Sequence, residues 1–134
     1  MRYLLDTHVL LWFLFNSPEL SKENKELITN PENQLFYSTS SLWEIEIKHC
    51  KFPNRFPFTA KEIATAADKS QIVNIPIFNK DIYEYSNSIK ITSNKNHNDP
   101  FDVILLSQAK ASDLTLLTAD KKFSYYKSKN IKII

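Results

Sequence analysis

Glycine is absent from all 134 residues of the chain, and cysteine occurs once, at Cys50. Without glycine, the glycine-rich loops that hold phosphate in dinucleotide-binding and P-loop proteins are excluded. A single cysteine excludes an internal disulfide and indicates a reducing compartment. Turns must therefore depend on asparagine, aspartate, serine and the six prolines.

Long apolar runs and strong net charge are also missing. The longest apolar segment, residues 9–15, is far shorter than the roughly 20 residues that a membrane-spanning helix needs. It follows Asp6 and His8, which is unlike a signal peptide, so we expect a cytoplasmic protein without a membrane partner. The net charge of +2 neither requires nor opposes a nucleic-acid partner. The length predicts a single domain over residues 1–134.

Apolar segments of strand length alternate with segments of helical character. The predicted strands are residues 2–6, 34–38, 72–75, 114–118 and 131–134. The predicted helices are one starting at residues 9–15, one from a Ser17 cap to about Thr29, and 42–50, 60–69, 79–89, 100–111 and 121–129. Because the strands are apolar throughout and alternate with helices, we predict an α/β fold whose parallel sheet is covered on both faces.

Two helix details bear on the interior of this predicted fold. Ser40 or Ser41 is expected to cap the helix at 42–50, and the spacing of Trp43, Ile47 and Cys50 predicts one apolar face. Cys50 is accordingly interpreted as a core residue. The segments 51–58 and 92–98 are predicted to be loops.

The clearest helix start lies at residues 97–111, HNDPFDVILLSQAKA. Asp99 suits the N-cap, Pro100 the first helical position and Asp102 the acidic member of a capping box. Capping alone explains these two aspartates. Three more acids, at positions 6, 44 and 120, also lie at or beside the end of an apolar strand or at the start of a helix.

The positions of these acids indicate one shared site. In parallel sheets, sites lie beyond the carboxyl ends of the strands, and Asp6 and Asp120 lie at two such ends. If those strands are neighbours, Asp6, Glu44, Asp102 and Asp120 can converge on one edge. Clustered carboxylates repel unless a cation is present. A purely carboxylate donor set suits Mg²⁺ or Mn²⁺, which can activate water for attack on a phosphodiester.

Each acid also has a structural explanation, and both explanations stay open here. Asp6 and Asp120 can cap the helices that follow them. Glu44 lies in a first helical turn, where the helix dipole favours it, and Lys48 is four residues further on. Asp99 suits a cap better than a ligand.

Four segments resemble the PIN domain: LLDTHVLLW, STSSLWEIEIK, HNDPFDVILLSQA and LTLLTAD. They follow one another in the family's order between residues 4 and 120, and within that superfamily they are similar to VapC-type toxins of bacterial toxin–antitoxin pairs. The resemblance implies a three-layer α/β/α sandwich with a mostly parallel sheet. It also implies a Mg²⁺- or Mn²⁺-dependent endoribonuclease, usually a homodimer, that a cognate antitoxin protein holds inactive.

The resemblance also assigns residues. The family's catalytic and metal-binding acids fall on Asp6, Glu44, Asp102 and Asp120. The polar positions beside the site fall on Thr7, Ser41 and Asp99. Two departures are Val103, where the family often has arginine, and Ser112-Asp113, where it often has glycine. Asp113 tolerates a left-handed turn, so the fold is not threatened.

Basic and aromatic residues near the expected site are candidates for RNA contact. The basic candidates are Lys48, Lys51, Arg55, His97 and Lys121, with Lys122 beside the last of these. Phe52, Phe56 and Phe58 could stack on bases or line a groove for a partner peptide. An apolar surface at residues 75–85 is the basis in this chain for expecting a dimer.

Two other functions are open. The first is a catalytically silent PIN scaffold that binds RNA or a partner protein. The second is a phosphatase of the haloacid dehalogenase type, which also begins with an apolar strand ending in Asp. That chemistry needs a second Asp two residues later, where this chain has His8.

Overall fold

The computed structural model describes residues 1–93, 99–125 and 130–134. The strands are β1 (Arg2–Leu5), β2 (Gln34–Ser38), β3 (Val73–Ile75), β4 (Thr115–Thr118) and β5 (Ile131–Ile133). The helices are α1 (Thr7–Leu14), α2 (Lys22–Thr29), α3 (Thr39–Lys51), α4 (Ala60–Lys69), α5 (Asn79–Ser93) and α6 (Pro100–Ala111), with a 3₁₀ helix (Lys121–Tyr125) before β5.

The five strands form one parallel sheet in the order β3-β2-β1-β4-β5. Its central strand β1 pairs with β2 on one side and β4 on the other. The predicted α/β class with a parallel sheet is confirmed. The neighbouring positions of β1 and β4 also meet the condition that the sequence set for bringing Asp6 and Asp120 to one edge.

Helices cover both faces of the sheet because side chains along each strand alternate between the faces. Tyr3 and Leu5 of β1 belong to a buried cluster that includes residues from α1, α2, α3 and α4. Leu4 points the other way, into a cluster with Leu105 and Leu106 of α6. The two clusters are the interiors of a three-layer α/β/α sandwich. None of the helices in the described ranges is both long enough and apolar enough to cross a lipid bilayer.

Two predicted helix starts were wrong. The helix expected from Ser17 begins instead at Lys22, where Ser21 is the N-cap and accepts a hydrogen bond from the Asn24 amide at 3.2 Å. Ser17 accepts from the Glu19 amide in a turn. Similarly, α3 begins at Thr39 rather than at residue 42, because Ser38 provides the capping oxygen for the Ser40 amide at 2.9 Å.

The prediction that Cys50 is a core residue was wrong, because the face that it shares with Trp43 and Ile47 is turned to solvent. The Trp43 side chain is 63% exposed and Ile47 is 38% exposed, and Cys50 is exposed as well. The buried face instead carries polar residues, among them Ser41 and Glu44. The polar first turns of the helix lie toward the carboxyl edge of the sheet, and the apolar face with Trp43, Ile47 and Cys50 stays exposed.

The last segments differ at their ends. Helix α5 extends to Ser93 rather than 89, and the predicted helix from residue 121 is a 3₁₀ helix as far as Tyr125. The rest of that prediction, and the predicted loop at 94–98, lie outside the described residues. Asp113 has the predicted left-handed backbone, with φ of 52°, and Asn16 and Gln71 share it, with φ of 50° and 61°.

Candidate metal centre

Asp6 lies at the point where β1 ends and α1 begins. As the N-cap of α1, it accepts a hydrogen bond from the Val9 amide through Oδ1 at 2.9 Å. Its other oxygen, Oδ2, accepts a hydrogen bond from the Thr118 hydroxyl at the end of β4. The side chain is therefore fixed from two elements, and the capping explanation is correct for Asp6. Capping uses one lone pair of Oδ1 and leaves the carboxylate able to accept more.

Thr118 connects Asp6 with Asp120. Its hydroxyl donates to Asp6 and accepts from the Asp120 amide at 3.0 Å. The Asp120 carboxylate accepts from the Lys122 amide through Oδ1 at 2.9 Å, so this acid also caps the segment that follows it. Sequence reasoning missed Thr118. The available signal was a hydroxyl residue ending the apolar strand LTLL, two positions before an acid.

Burial raises the pKa of the Asp6 carboxyl above its ordinary value of 3.8. The hydrogen bonds from Thr118 and Val9 and the charge of His8 oppose this rise, and the negative charge of Asp120 adds to it. The charged form of Asp6 is thus poorly compensated by the protein alone. A cation held between Asp6 and Asp120 would offset the loss of hydration of the buried Asp6 carboxylate and the repulsion between the two negative charges.

Glu44 approaches the same edge from α3. The Thr7 hydroxyl at the start of α1 donates to the Ser41 hydroxyl of α3 at 2.9 Å, which joins the two helix starts. Glu44 follows Ser41 by three residues and is therefore on the same side of α3. Its buried carboxylate pairs with Lys48, whose Nζ lies 2.9 Å from Oε2. Here the predicted pairing of Glu44 with Lys48 is present.

The remaining acids lie at the start of α6. Asp99 is the N-cap and accepts from the Phe101 amide at 3.0 Å, as its capping explanation requires. Asp102 is half-buried in the first turn. Because a short connection joins α6 to β4, the helix runs antiparallel to the strand. Its first turn therefore lies toward the carboxyl edge of the sheet, where Asp6 and Asp120 are found.

The basic candidates differ in their surroundings. Lys51, Arg55 and Lys121 are exposed, whereas the Lys48 ammonium is engaged by Glu44. The Arg55 guanidinium lies over the rings of Phe52 and Phe56, 5.8 Å from each centroid. His97 falls outside the described residues.

An apolar cleft of about 300 Å³ opens beside α1. Its walls include His8 and Trp12 of α1, and Phe56 and Phe58 of the loop after α3. The Phe58 ring stacks on Phe15, with centroids 4.8 Å apart. Because His8 is two residues from Asp6, the cleft adjoins the acidic edge.

The donor set fits a hard divalent ion, but it is not a closed cage. All four candidate ligands are carboxylates, the donors that Mg²⁺ and Mn²⁺ prefer. Within residues 1–93, 99–125 and 130–134, no group of three or more histidine, cysteine, aspartate or glutamate side chains is arranged to hold a metal ion. Mg²⁺ needs only one or two protein carboxylates because it keeps several waters. Asp6 and Asp120, at the ends of the adjacent strands β1 and β4, offer that number of carboxylates.

The fold resembles those of three solved VapBC structures. VapBC2 from Rickettsia felis, bound to a DNA fragment from the promoter of VapBC2, matches with 21% identity and a TM-score of 0.70, over 100% of this chain and 98% of that chain. DNA-bound VapBC from Salmonella typhimurium matches with 17% identity and a TM-score of 0.67, over 100% and 97%. VapBC-1 from nontypeable Haemophilus influenzae matches with 14% identity and a TM-score of 0.69, over 99% and 98%. At these identities the likeness concerns the fold.

The sequence comparisons identify the family. Comparison with curated protein sequences finds no significant match. The family model described as "PIN domain" matches residues 3–129, which include the four acids and Thr118. PIN domains are nucleases that generally use divalent metal ions. The chain therefore belongs to the PIN domain family, a family of nucleases.

Proposed function

We propose that the protein is a divalent-metal-dependent endoribonuclease and the toxin of a VapC-type toxin–antitoxin pair, acting in the cytoplasm. The observation that carries the proposal is that Asp6 and Asp120 lie at the carboxyl ends of the adjacent strands β1 and β4. There Asp6 is buried, is held by uncharged donors and has a raised pKa. In a nuclease family, such an uncompensated acidic edge supports a site for a cation and a phosphodiester.

In this proposal Asp6, Glu44, Asp102 and Asp120 hold Mg²⁺ or Mn²⁺. When bound, the ion supplies the positive charge that makes water more acidic and stabilises charge on the phosphate. Water adds to phosphorus while the bond to the leaving oxygen breaks and that oxygen gains a proton. Thr118 keeps Asp6 oriented during this step, because its hydroxyl donates to Oδ2.

The chain's own basic residues position the RNA. The exposed side chains of Lys51, Arg55 and Lys121 attract phosphates by charge. None of them needs to reach the scissile bond to contribute. Their effect on cleavage is therefore expected to weaken as ionic strength rises.

The partner protein in this proposal is a cognate antitoxin. Support comes from the solved structures of similar fold, which are VapBC assemblies and, in one case, a toxin–antitoxin complex from Klebsiella pneumoniae. The cleft lined by Trp12, Phe56 and Phe58 offers an apolar surface next to the acidic edge. A segment seated there would lie close enough to block access to Asp6.

We also propose a homodimer formed through α5 and the segment before it. Ile77, Phe78 and Ile82 are 37%, 47% and 59% exposed, so apolar surface is left uncovered. Asp81 lies among them, and its Oδ1 is buried without a hydrogen-bond partner in the described structure. A second copy would cover the apolar side chains. Light scattering that gave a monomer at high concentration would contradict the dimer.

RNA cleavage tests the proposed activity directly. We expect cleavage with Mg²⁺ or Mn²⁺ and none with excess EDTA. Asp6→Asn and Asp102→Asn, purified in the same way, should each lower cleavage on the order of a hundredfold or more. Circular dichroism of both variants controls for folding. Cleavage that EDTA and both substitutions leave undiminished would remove the mechanism.

The second candidate is a silent PIN scaffold that binds RNA or a protein. It is favoured by the ion pair at Glu44 and by the lack of a three-ligand cluster in the part of the chain that the structure describes. The two candidates differ in their response to metal. A nuclease site gives stabilisation by Mn²⁺ that Asp6→Asn abolishes, whereas a scaffold gives none that depends on this acid.

A further inference from the structure

Lys48 is in direct contact with Glu44, one of the candidate metal ligands. Its Nζ lies 2.9 Å from Glu44 Oε2, and the pair is four residues apart on α3. The Glu44 side chain is 10% exposed and that of Lys48 is 32% exposed. The Lys48 ammonium also lies 5.5 Å from the centroid of the Phe56 ring.

A buried carboxylate needs a cation nearby, because removal from water disfavours its charged form. At Glu44 the protein supplies that cation itself. At Asp6 the described residues supply a hydroxyl and an amide, together with the charge of His8. A divalent ion drawn to Asp6 and Asp120 could use Glu44 fully only if Lys48 withdrew, since the ammonium and the ion compete for the same oxygen.

We propose that Lys48 is the internal counter-cation of Glu44, which a divalent ion displaces when it binds. The inference rests on the proposed metal site and assigns to Lys48 a positioning role. Lys48 holds Glu44 at the edge while the ion is absent and lowers the affinity for the ion. Phe56 gives the displaced ammonium a second favourable contact, because the face of an aromatic ring attracts a cation. Lys48 is also the one RNA-contact candidate engaged by an acid in the described structure, and its release would free it for phosphate.

The test is a calorimetric titration of the metal-free protein with MnCl₂, without RNA. Lys48→Met removes the charge and keeps an apolar stem against Phe56. We expect the Lys48→Met variant to have an apparent Kd for Mn²⁺ about three- to tenfold lower than that of the wild type. This range corresponds to the free energy of one partly exposed ion pair. Lys48→Arg keeps a cation four residues from Glu44 and is expected to bind Mn²⁺ within about twofold of the wild type.

Two controls make the result specific. Lys69→Met removes one exposed positive charge from the last turn of α4 and should leave the Kd unchanged. In a Glu44→Gln background, Lys48→Met should give no gain in affinity, because the oxygen for which the two cations compete has been neutralised. Melting curves without metal confirm folding, and Lys48→Gln is a second neutral variant that must show the same gain.

The outcomes separate the inference from the proposed function. If wild type binds Mn²⁺ and the neutral Lys48 variants bind it equally or more weakly, the competition does not exist and the inference is overturned. If wild type binds no Mn²⁺, the proposed metal site itself is wrong and the inference falls with it. A gain in affinity that persists with Glu44→Gln would also overturn it.

Discussion

The two sides of the acidic edge are compensated in different ways. On the strand side, Asp6 is held by the Thr118 hydroxyl and the Val9 amide, and the charge of Asp120 raises its pKa further after burial has done so. On the helix side, Glu44 is paired directly with the ammonium of Lys48. Both acids are buried, yet among the residues that the structure describes a cation is in contact with Glu44 and none is in contact with Asp6.

This difference assigns separate tasks to the two sides. On the strand side, hydrogen bonds fix the Asp6 carboxylate, but burial and the charge of Asp120 disfavour its ionised form. This is the arrangement expected where an external cation binds. The helix side is electrostatically satisfied without such a cation. The strand side should therefore govern whether metal binds, and the helix side should adjust how tightly.

The largest expected effect is on cleavage, where the two sides should agree. Asp6→Asn and Glu44→Gln should each lower metal-dependent RNA cleavage on the order of a hundredfold or more, because each removes a carboxylate from the metal site. Melting in EDTA at pH 7 should separate them: Asp6→Asn removes a buried uncompensated charge and raises Tm, while Glu44→Gln breaks an ion pair and lowers it. Shifts in the same direction would show that the two sides are compensated alike.

Thr118→Val tests the geometry of the strand side. The variant leaves a buried Asp6 oxygen and the Asp120 amide without their hydroxyl partner, so the free energy of unfolding should fall by about 1–3 kcal/mol. Urea denaturation measures this loss. Thr118→Ser keeps the hydroxyl and loses only the methyl group, so it should lose clearly less, and a Thr118→Val loss no larger than that of Thr118→Ser would contradict the role of the hydroxyl.

The pH dependence of stability tests the charge on Asp6. Because its pKa is higher in the folded protein than the ordinary 3.8, the protonated form is favoured by folding. The associated stability is fully present below pH 3.8 and is lost as pH rises through the folded-state pKa. The Tm advantage of Asp6→Asn in EDTA should therefore grow from acid to neutral pH. A Tm advantage that shrank with rising pH would show that folding lowers the pKa of Asp6 instead of raising it.

The smallest effect is expected far from both sides, at the amino edge of the sheet. Gln71 joins α4 to β3 with φ of 61° in a chain without glycine. Gln71→Gly should stabilise the protein by about 1 kcal/mol, since glycine adopts this conformation without strain. Ser70→Gly, at φ of −91°, is the matched control and should give no gain. A loss of stability in Gln71→Gly would contradict backbone strain at Gln71. Both variants should leave Mn²⁺ binding unchanged.

The sequence predicted the parts of the fold that depend on strong, local patterns. Uniformly apolar strands that alternate with helices required a parallel sheet covered on both faces, and the sheet is present. The acid at the end of β1 was found because Asp6 interrupts an apolar run. The helix start at Asp99-Pro100 was equally clear, since a cap and an N1 proline act within one turn.

The rest depends on contacts between distant residues. The spacing of Trp43, Ile47 and Cys50 groups them on one face but does not say whether that face is buried. Burial of Ser41 and Glu44 depends on contacts with Thr7 and the edge of the sheet. Thr118 was missed because a threonine at a strand end is ordinary until Asp6 lies beside it. Ser17 was predicted as the cap from the local sequence alone, whereas Ser21 caps α2, whose Ile28 is buried in one cluster with Leu20.

The most direct test is a titration of metal-free protein with Mn²⁺ by calorimetry, comparing wild type with Asp6→Asn. If the strand-end acids hold a divalent ion, wild type binds Mn²⁺ and the variant, folded and at least as stable in EDTA, binds it at least about tenfold more weakly. Equal affinity in the two proteins would contradict a metal site at the ends of β1 and β4.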